Sequence, residues 1–202
     1  MRFVLVAAAA LAALTAAFAL PAGAHVTHVT APGPQCGGTL WKMMTLSDTG
    51  KTAVHWAPTA TTLPDIAKLS APAKITTARS SAFQKQVWKL TAVIQSYRQA
   101  SNGELVFQLF DINSSLYMNA YMPSASCLPT KARGRAQMLA ARNAFLQQCP
   151  APTGNWQPLG ATAEITGVGF WNPVKTTAGA SKNGAELRPL LDVNITQGCG
   201  HF

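Results

Sequence analysis

The sequence predicts a mostly β, α+β domain, and three observations predict it. Strand-like alternation starts at Gln86 and recurs in two further stretches separated by turn residues. One amphipathic helical stretch interrupts the series, and two more apolar strands follow it, the first carrying Gly167 and Gly169 inside it.

From Gln86 to Tyr97, Trp88, Leu90, Ala92 and Ile94 fall on one face and Lys89, Thr91 and Gln95 on the other, as a half-buried strand requires. Ser101-Asn102-Gly103 is a hairpin turn. Glu104 to Phe110 is the second strand, Asn113-Ser114-Ser115 a second turn, and Leu116 to Met122 the third strand. Pro129-Thr130 opens a helix with Thr130 as N-cap, and Met138, Leu139, Arg142, Phe145 and Leu146 recur at three and four residues to about Gln148. Ala163 to Phe170 and Glu186 to Ile195 are the last two strands, on either side of a Gly, Thr, Ser and Lys-rich loop from Asn172 to Gly184. The string β-β-β-α-β-β is that of an OB-fold, a five-stranded partly open barrel with its helix between the third and fourth strands. Other α+β arrangements share the string, and the two glycines favour the tight bends of a small barrel.

Upstream the chain reads differently. Arg2, the apolar run from Phe3 to Leu20 and the small-x-small box Ala22-Gly23-Ala24 make residues 1–24 a cleavable signal peptide. The competing reading is an uncleaved anchor of about 18 residues, which Pro21 and the cleavage box disfavour. Residues 25–80 read as an extended N-terminal arm and linker, with a short strand from Leu40 to Leu46, a turn at Asp48-Thr49-Gly50, and Leu63, Ile66 and Leu69 at helical spacing for at most two turns. The OB-like barrel is assigned to residues 81–202. No later stretch is long and apolar enough to span a membrane, so cleavage predicts a secreted or periplasmic bacterial protein without a membrane span.

Arg2 is the leader's one charged residue, so 16 basic and 7 acidic residues leave a net +8 on the mature chain. That excess attracts a polyanion, although scattered charges also serve solubility alone. All four cysteines, Cys36, Cys127, Cys149 and Cys199, lie in the exported part and read as two disulfides. Metal binding competes, but no C-x-x-C pair or zinc-like His/Cys spacing is present. Cys127 and Cys149 flank the helix and are expected to pair across it, leaving Cys36 to Cys199.

The run Glu164 to Trp171 and the segment Asn183 to Leu191 resemble a group of uncharacterised bacterial secreted proteins ending in the form "VTGVGFFD…HGQTG…NGIELHPVL". Cys36-Gly37-Gly38, Trp41 to Asp48, Pro58 to Thr62, Val87 to Leu90 and Pro123 to Cys127 match in order, so the likeness covers most of the mature chain. Three histidines of that pattern are replaced, by Val106, by Val174 or Lys175, and by Arg188. The resemblance implies that any imidazole-dependent chemistry of such relatives is lost here, with Glu104, Asp111 and Glu186 as the surviving acids.

Candidate site residues follow. Gly184 frees the backbone beside Glu186 and Arg188, which alternation puts on one strand face. With Asn183, Lys182 and Lys175 nearby, such a pair can grip a phosphate or carboxylate, or can be a surface ion pair next to a turn. Glu104 and Asp111 complete the polar set. Aromatic residues among cations suggest base stacking, with Tyr97, Tyr117, Tyr121 and Trp171 expected at the surface. His25, amino-terminal after cleavage, and His28 form a weak copper candidate, and no cofactor is expected. The leading reading is an exported non-enzymatic OB-like module for a polyanion such as single-stranded nucleic acid or an anionic glycan. The alternatives are a degenerate metal-dependent hydrolase or nuclease-like protein and a structural envelope protein. Oligomeric state is not legible.

Overall fold

The computed structural model describes residues 36–199. The leader assigned to 1–24 and the copper candidates His25 and His28 lie outside the described residues.

Six strands form one mostly β architecture: β1 (His55–Ala60), β2 (Gln86–Gln99), β3 (Leu105–Asp111), β4 (Leu116–Met122), β5 (Gln157–Trp171) and β6 (Ala185–Gln197). The β2–β3–β4 meander is antiparallel, and β4 then pairs in parallel with β6. Antiparallel pairing of β6 with β5 and of β5 with β2 returns the hydrogen bonding to its start, so five strands ring the core. The parallel β4–β6 pairing needs a long crossover, and the chain between them supplies α3 (Arg135–Gln148) and β5.

Alternation sets the faces. Leu90, Ala92 and Ile94 are buried while Lys89, Thr91 and Gln95 are exposed. Between Ile94 and Ser96 the register slips against both neighbours of β2, and such a bulge shifts the side-chain phase by one residue. Tyr97 therefore turns inward and is fully buried, against the expectation that it faces solvent. There its ring meets Phe145 of α3 edge-on at 5.4 Å, and Phe145 meets Phe107 of β3 at 4.8 Å. The glycines of β5 serve close approach: a Cβ on Gly167 would lie 2.8 Å from Leu190 Cδ2, and one on Gly169 2.1 Å from the Phe83 carbonyl oxygen.

Three expectations along this part of the chain need correction. Leu40 to Leu46 is no strand: α1 (Trp41–Met44) forms there, with the Thr45 hydroxyl donating to the Trp41 carbonyl. Residues 36–80 are no arm laid over the surface, for Met43, Leu46, Val54, Leu63 and Ile66 are all buried and β1 pairs in parallel with β2. Leu63 and Ile66 belong to α2 (Leu63–Ala67), the short helix read from their spacing, whose N-cap Thr62 accepts from the Asp65 amide. Helix α3 starts after Gly134 rather than after Thr130. Tertiary contacts win over capping propensity here: the Arg133 amide donates to the Leu46 carbonyl, while its guanidinium lies 4.4 Å over Trp56 and donates to the Lys51 and Val54 carbonyls.

The disulfides are Cys36–Cys127 and Cys149–Cys199, so the pairing expected across the helix is overturned. A helix of 14 residues is about 21 Å long at 1.5 Å per residue. It carries Cys149 far from Cys127, whereas bridged Cα atoms must lie within roughly 7 Å. Among the described residues, no helix is long and apolar enough to cross a membrane.

Candidate functional site

The strand register brings three of the sequence-derived candidates together. Asn119 of β4 faces Glu186 of β6, and Val106 of β3 faces Tyr121 of β4. With side chains alternating along each strand, Val106, Asn119, Tyr121, Glu186 and Arg188 share the wall opposite the apolar interior of Leu105, Phe107, Ala120 and Leu187. Glu104 enters from the turn before β3. The Arg188 guanidinium stacks on the Tyr121 ring at 4.1 Å, donates to Glu104 Oε2 and stands 4.0 Å from Glu186 Oε2. Asn102 donates a second hydrogen bond to Glu104 at 2.7 Å, while Asn172 and the Tyr121 hydroxyl donate to Glu186 Oε1 at 2.7 and 3.2 Å.

This is not the surface grip that the sequence suggested. Glu104, Glu186 and Arg188 are all buried, as is Tyr121, against the expectation that it lies at the surface. Burial pushes the Glu186 carboxyl up to about 7 against the opposing pull of Arg188, Asn172 and Tyr121. The same burial raises the Tyr121 hydroxyl above its ordinary range, and the Glu186 charge adds to it. Arg142 joins the cluster's edge, donating to the Gly103 carbonyl at 2.9 Å. It is itself buried.

Satisfaction is incomplete. Among the described residues, the buried side-chain polar atoms with no hydrogen-bond partner in the protein are Glu104 Oε1, Glu186 Oε2, Arg188 Nε, both amide atoms of Asn119, and Arg135 Nε. All but the last belong to this wall. Leaving such a group unpaired costs about 1–3 kcal/mol, so their concentration in one place marks it as something other than core.

The other candidates go elsewhere. Asp111 lies at the far end of β3, where its carboxylate accepts from the Asn113 amide and the Ser114 hydroxyl and closes the β3–β4 turn. Asn183 donates to the Ile66 and Leu69 carbonyls and so ties down the end of α2. Lys175 and Lys182 are exposed, and among the described residues neither forms an ion pair with Glu186. Of the aromatics expected outside, Tyr117 is exposed, whereas Trp171 is buried with its indole donating to the Ser81 hydroxyl.

A second feature was hidden in the segment read as linker. Strand β1 is almost wholly exposed and occupies the edge of β2 before β3 takes that edge over. A hollow of about 530 Å³ on one side is lined by Trp56, Pro58, Lys89, Gln137, Thr166 and Asp192 among others. Another of about 500 Å³ is lined by His55, Thr59, Ala82, Lys85, Gln86 and Trp88. Alternation along β1 sends Trp56 and Pro58 to the first hollow and His55 and Thr59 to the second. The sequence assigns this stretch to the arm and linker, whereas Trp56 and Pro58 alternate with His55 and Thr59 along a strand. As an edge residue Pro58 needs no donor on the outer side.

No protein-family model and no curated protein matches this chain. A crystal structure described as an aspartyl-tRNA synthetase of Leishmania major Friedlin is similar at a TM-score of 0.42 and 10% identity over 72% of this chain. This chain spans 22% of the length of that one.

Proposed function

We propose that this protein is an exported, non-catalytic binding module of OB type that holds an extended polyanion, a single-stranded nucleic acid or an anionic glycan. The five-stranded ring with α3 between β4 and β5 supports the barrel reading. Two disulfides and the leader-like start support export to the periplasm or beyond.

The observation that carries the ligand class is the pair of hollows flanking β1, each with a tryptophan on its lining. The second has Lys85 beside Trp88, and the first has Lys89, which pairs with Glu164, and Asp192 beside Trp56. Stacking on an aromatic face and attraction of a backbone charge are the two means by which single strands are held without sequence readout. Charge adds to this. Asp48, Asp65, Glu104, Glu164 and Glu186 are each within ion-pair distance of an arginine or lysine of the same chain. Among the described residues, Lys42, Lys74, Lys85, Lys131 and Lys175 have no such carboxylate, so the excess falls on the surface.

The test is fluorescence anisotropy with a labelled oligo-dT and a labelled heparin fragment. Binding is expected at about 50 mM salt and at least tenfold weaker at about 200 mM. Trp88→Ala is expected to weaken it by about 1–3 kcal/mol. No binding of either probe at low salt sinks the reading. A second reading, acid-base hydrolysis, is favoured by Glu186 with its carboxyl at about 7. Turnover of a phosphodiester with added magnesium, lost in Glu186→Gln, would put that reading first.

A further inference from the structure

We infer that the polar wall of β4 and β6 is a second binding site, for an uncharged, hydroxyl-rich molecule of monosaccharide size, roofed by the loop between β5 and β6. The site is independent of the hollows flanking β1.

Asn119 starts the argument. It is fully buried, yet among the described residues neither its amide nitrogen nor its amide oxygen has a hydrogen-bond partner. A carboxamide offers donors and an acceptor side by side. Opposite Asn119, Glu186 Oε2 is an unused acceptor, and farther along the same wall Glu104 Oε1 is an unused acceptor and Arg188 Nε an unused donor. A hydroxyl group both donates and accepts, so a polyol can meet unused groups of both kinds, beginning with those of Asn119 and Glu186, which stand opposite each other. Charge narrows the class further: an anion would face Glu104 and Glu186, and a cation would face Arg188.

The roof is the loop. Gly179 sits on Asn119 and Gln108 so tightly that a Cβ there would be 2.8 Å from both Asn119 Oδ1 and Gln108 Cγ. Nothing apolar anchors this stretch, because none of the side chains from Pro173 to Ala180 is buried and Val174 is 55% exposed. Segments with few buried apolar contacts open at low cost. The loop's roots are firm by contrast. Asn172 donates to Glu186 and its amide bonds the Gly184 carbonyl, while Asn183 is tied to α2.

A way in already exists. A hollow of about 320 Å³ opens beside the roof, between Tyr117 and the Ala180 to Asn183 stretch. Tyr117 stands two residues before Asn119 on the same face of β4, with its ring tilted against Phe110 at 4.8 Å. Its exposed face offers a platform for the C–H face of a sugar ring. The ligand stacks on Tyr117 and reaches Asn119, Glu186 and Arg188 as the loop lifts.

The experiment titrates the full mature chain with glucose, galactose, N-acetylglucosamine and myo-inositol by calorimetry. Amide hydrogen exchange is followed over residues 173–180. At least one probe is expected to bind saturably and to change exchange in that loop. Asn119→Leu and Tyr117→Ala are each expected to weaken binding roughly tenfold or more. Tyr117 is a surface residue, so its variant tests the site even where Asn119→Leu alters folding. Failure of all four probes, binding that survives both substitutions, loop exchange that does not respond, or competition by inorganic phosphate would each overturn the inference.

Discussion

Arg79 and Arg188 are both buried arginines set on carboxylates, and they differ in how fully they are used. Arg79 donates from Nε and Nη2 to the two oxygens of Asp48, at 3.1 and 2.9 Å. Its remaining donors reach the Met43 and Gln84 carbonyls at 2.8 and 3.0 Å. Arg188 has two carboxylates within reach, yet its Nε and one oxygen of each acid stay unpaired. The first arrangement is closed upon itself and ties α1, the Arg79 segment and the start of β2 together. The second leaves hydrogen-bonding capacity in place for something else. Buried charge therefore has two uses in one chain, and satisfaction rather than burial tells them apart.

The largest expected effect tests the closed pair. Arg79→Met leaves Asp48 buried without its partner and should cost about 3–5 kcal/mol in urea unfolding. A loss under about 1 kcal/mol, the scale of a surface pair, would erase the contrast. Next comes Glu186, whose carboxyl stands at about 7 against an ordinary 4.5. The folded state holds that proton more tightly than the unfolded one, so this contribution is full below about pH 4.5 and is lost as pH rises through about 7. At about 1.4 kcal/mol per unit the span is roughly 3 kcal/mol. Glu186→Gln should gain on wild type by about that amount between pH 5 and pH 8, and parallel stability curves would show the wall to be as well satisfied as the Arg79 clamp.

Two buried amides sharpen the comparison at smaller scale. Gln84 Oε1 accepts from the Ser80 and Ser81 amides at 3.1 and 3.3 Å, whereas among the described residues the Asn119 amide has no hydrogen-bond partner. Gln84→Leu should cost about 1–3 kcal/mol and Asn119→Leu should be neutral or stabilising. Thermal melts that rank them the other way would contradict the reading of Asn119. The smallest effect sets the baseline: Lys89 and Glu164 pair at 3.2 Å with both side chains more than a third exposed, and Glu164→Gln should shift stability by no more than about 0.5 kcal/mol.

Local pattern explains what was legible in the sequence. Leu116 to Met122 and the strand starting at Gln86 were readable because alternation and the Ser101-Asn102-Gly103 turn are local signals. Thr130 failed as a cap because Arg133 is held by Leu46, Lys51 and Val54, residues some eighty positions away. Tyr97 failed because a bulge at Gln95 is invisible to a period-two count. Glu186 and Arg188 were correctly put on one face, but their burial under the chain's own loop depends on the parallel β4–β6 pairing, which no local signal encodes. The disulfide partners depend likewise on where distant chain ends are carried.

Those disulfides also decide how the described chain would bear a load. Tension applied at Cys36 passes directly to Cys127, and tension applied at Cys199 passes directly to Cys149. The meander β2–β4 hangs inside the first covalent loop and the β5–β6 pair inside the second. Between the two bridges only the residues from Cys127 to Cys149, with α3 running up to Cys149, can be drawn out. That stretch extends to at most about 75 Å at roughly 3.4 Å per residue, so a pull on the two ends strips one helix and leaves every strand of the ring off the line of force.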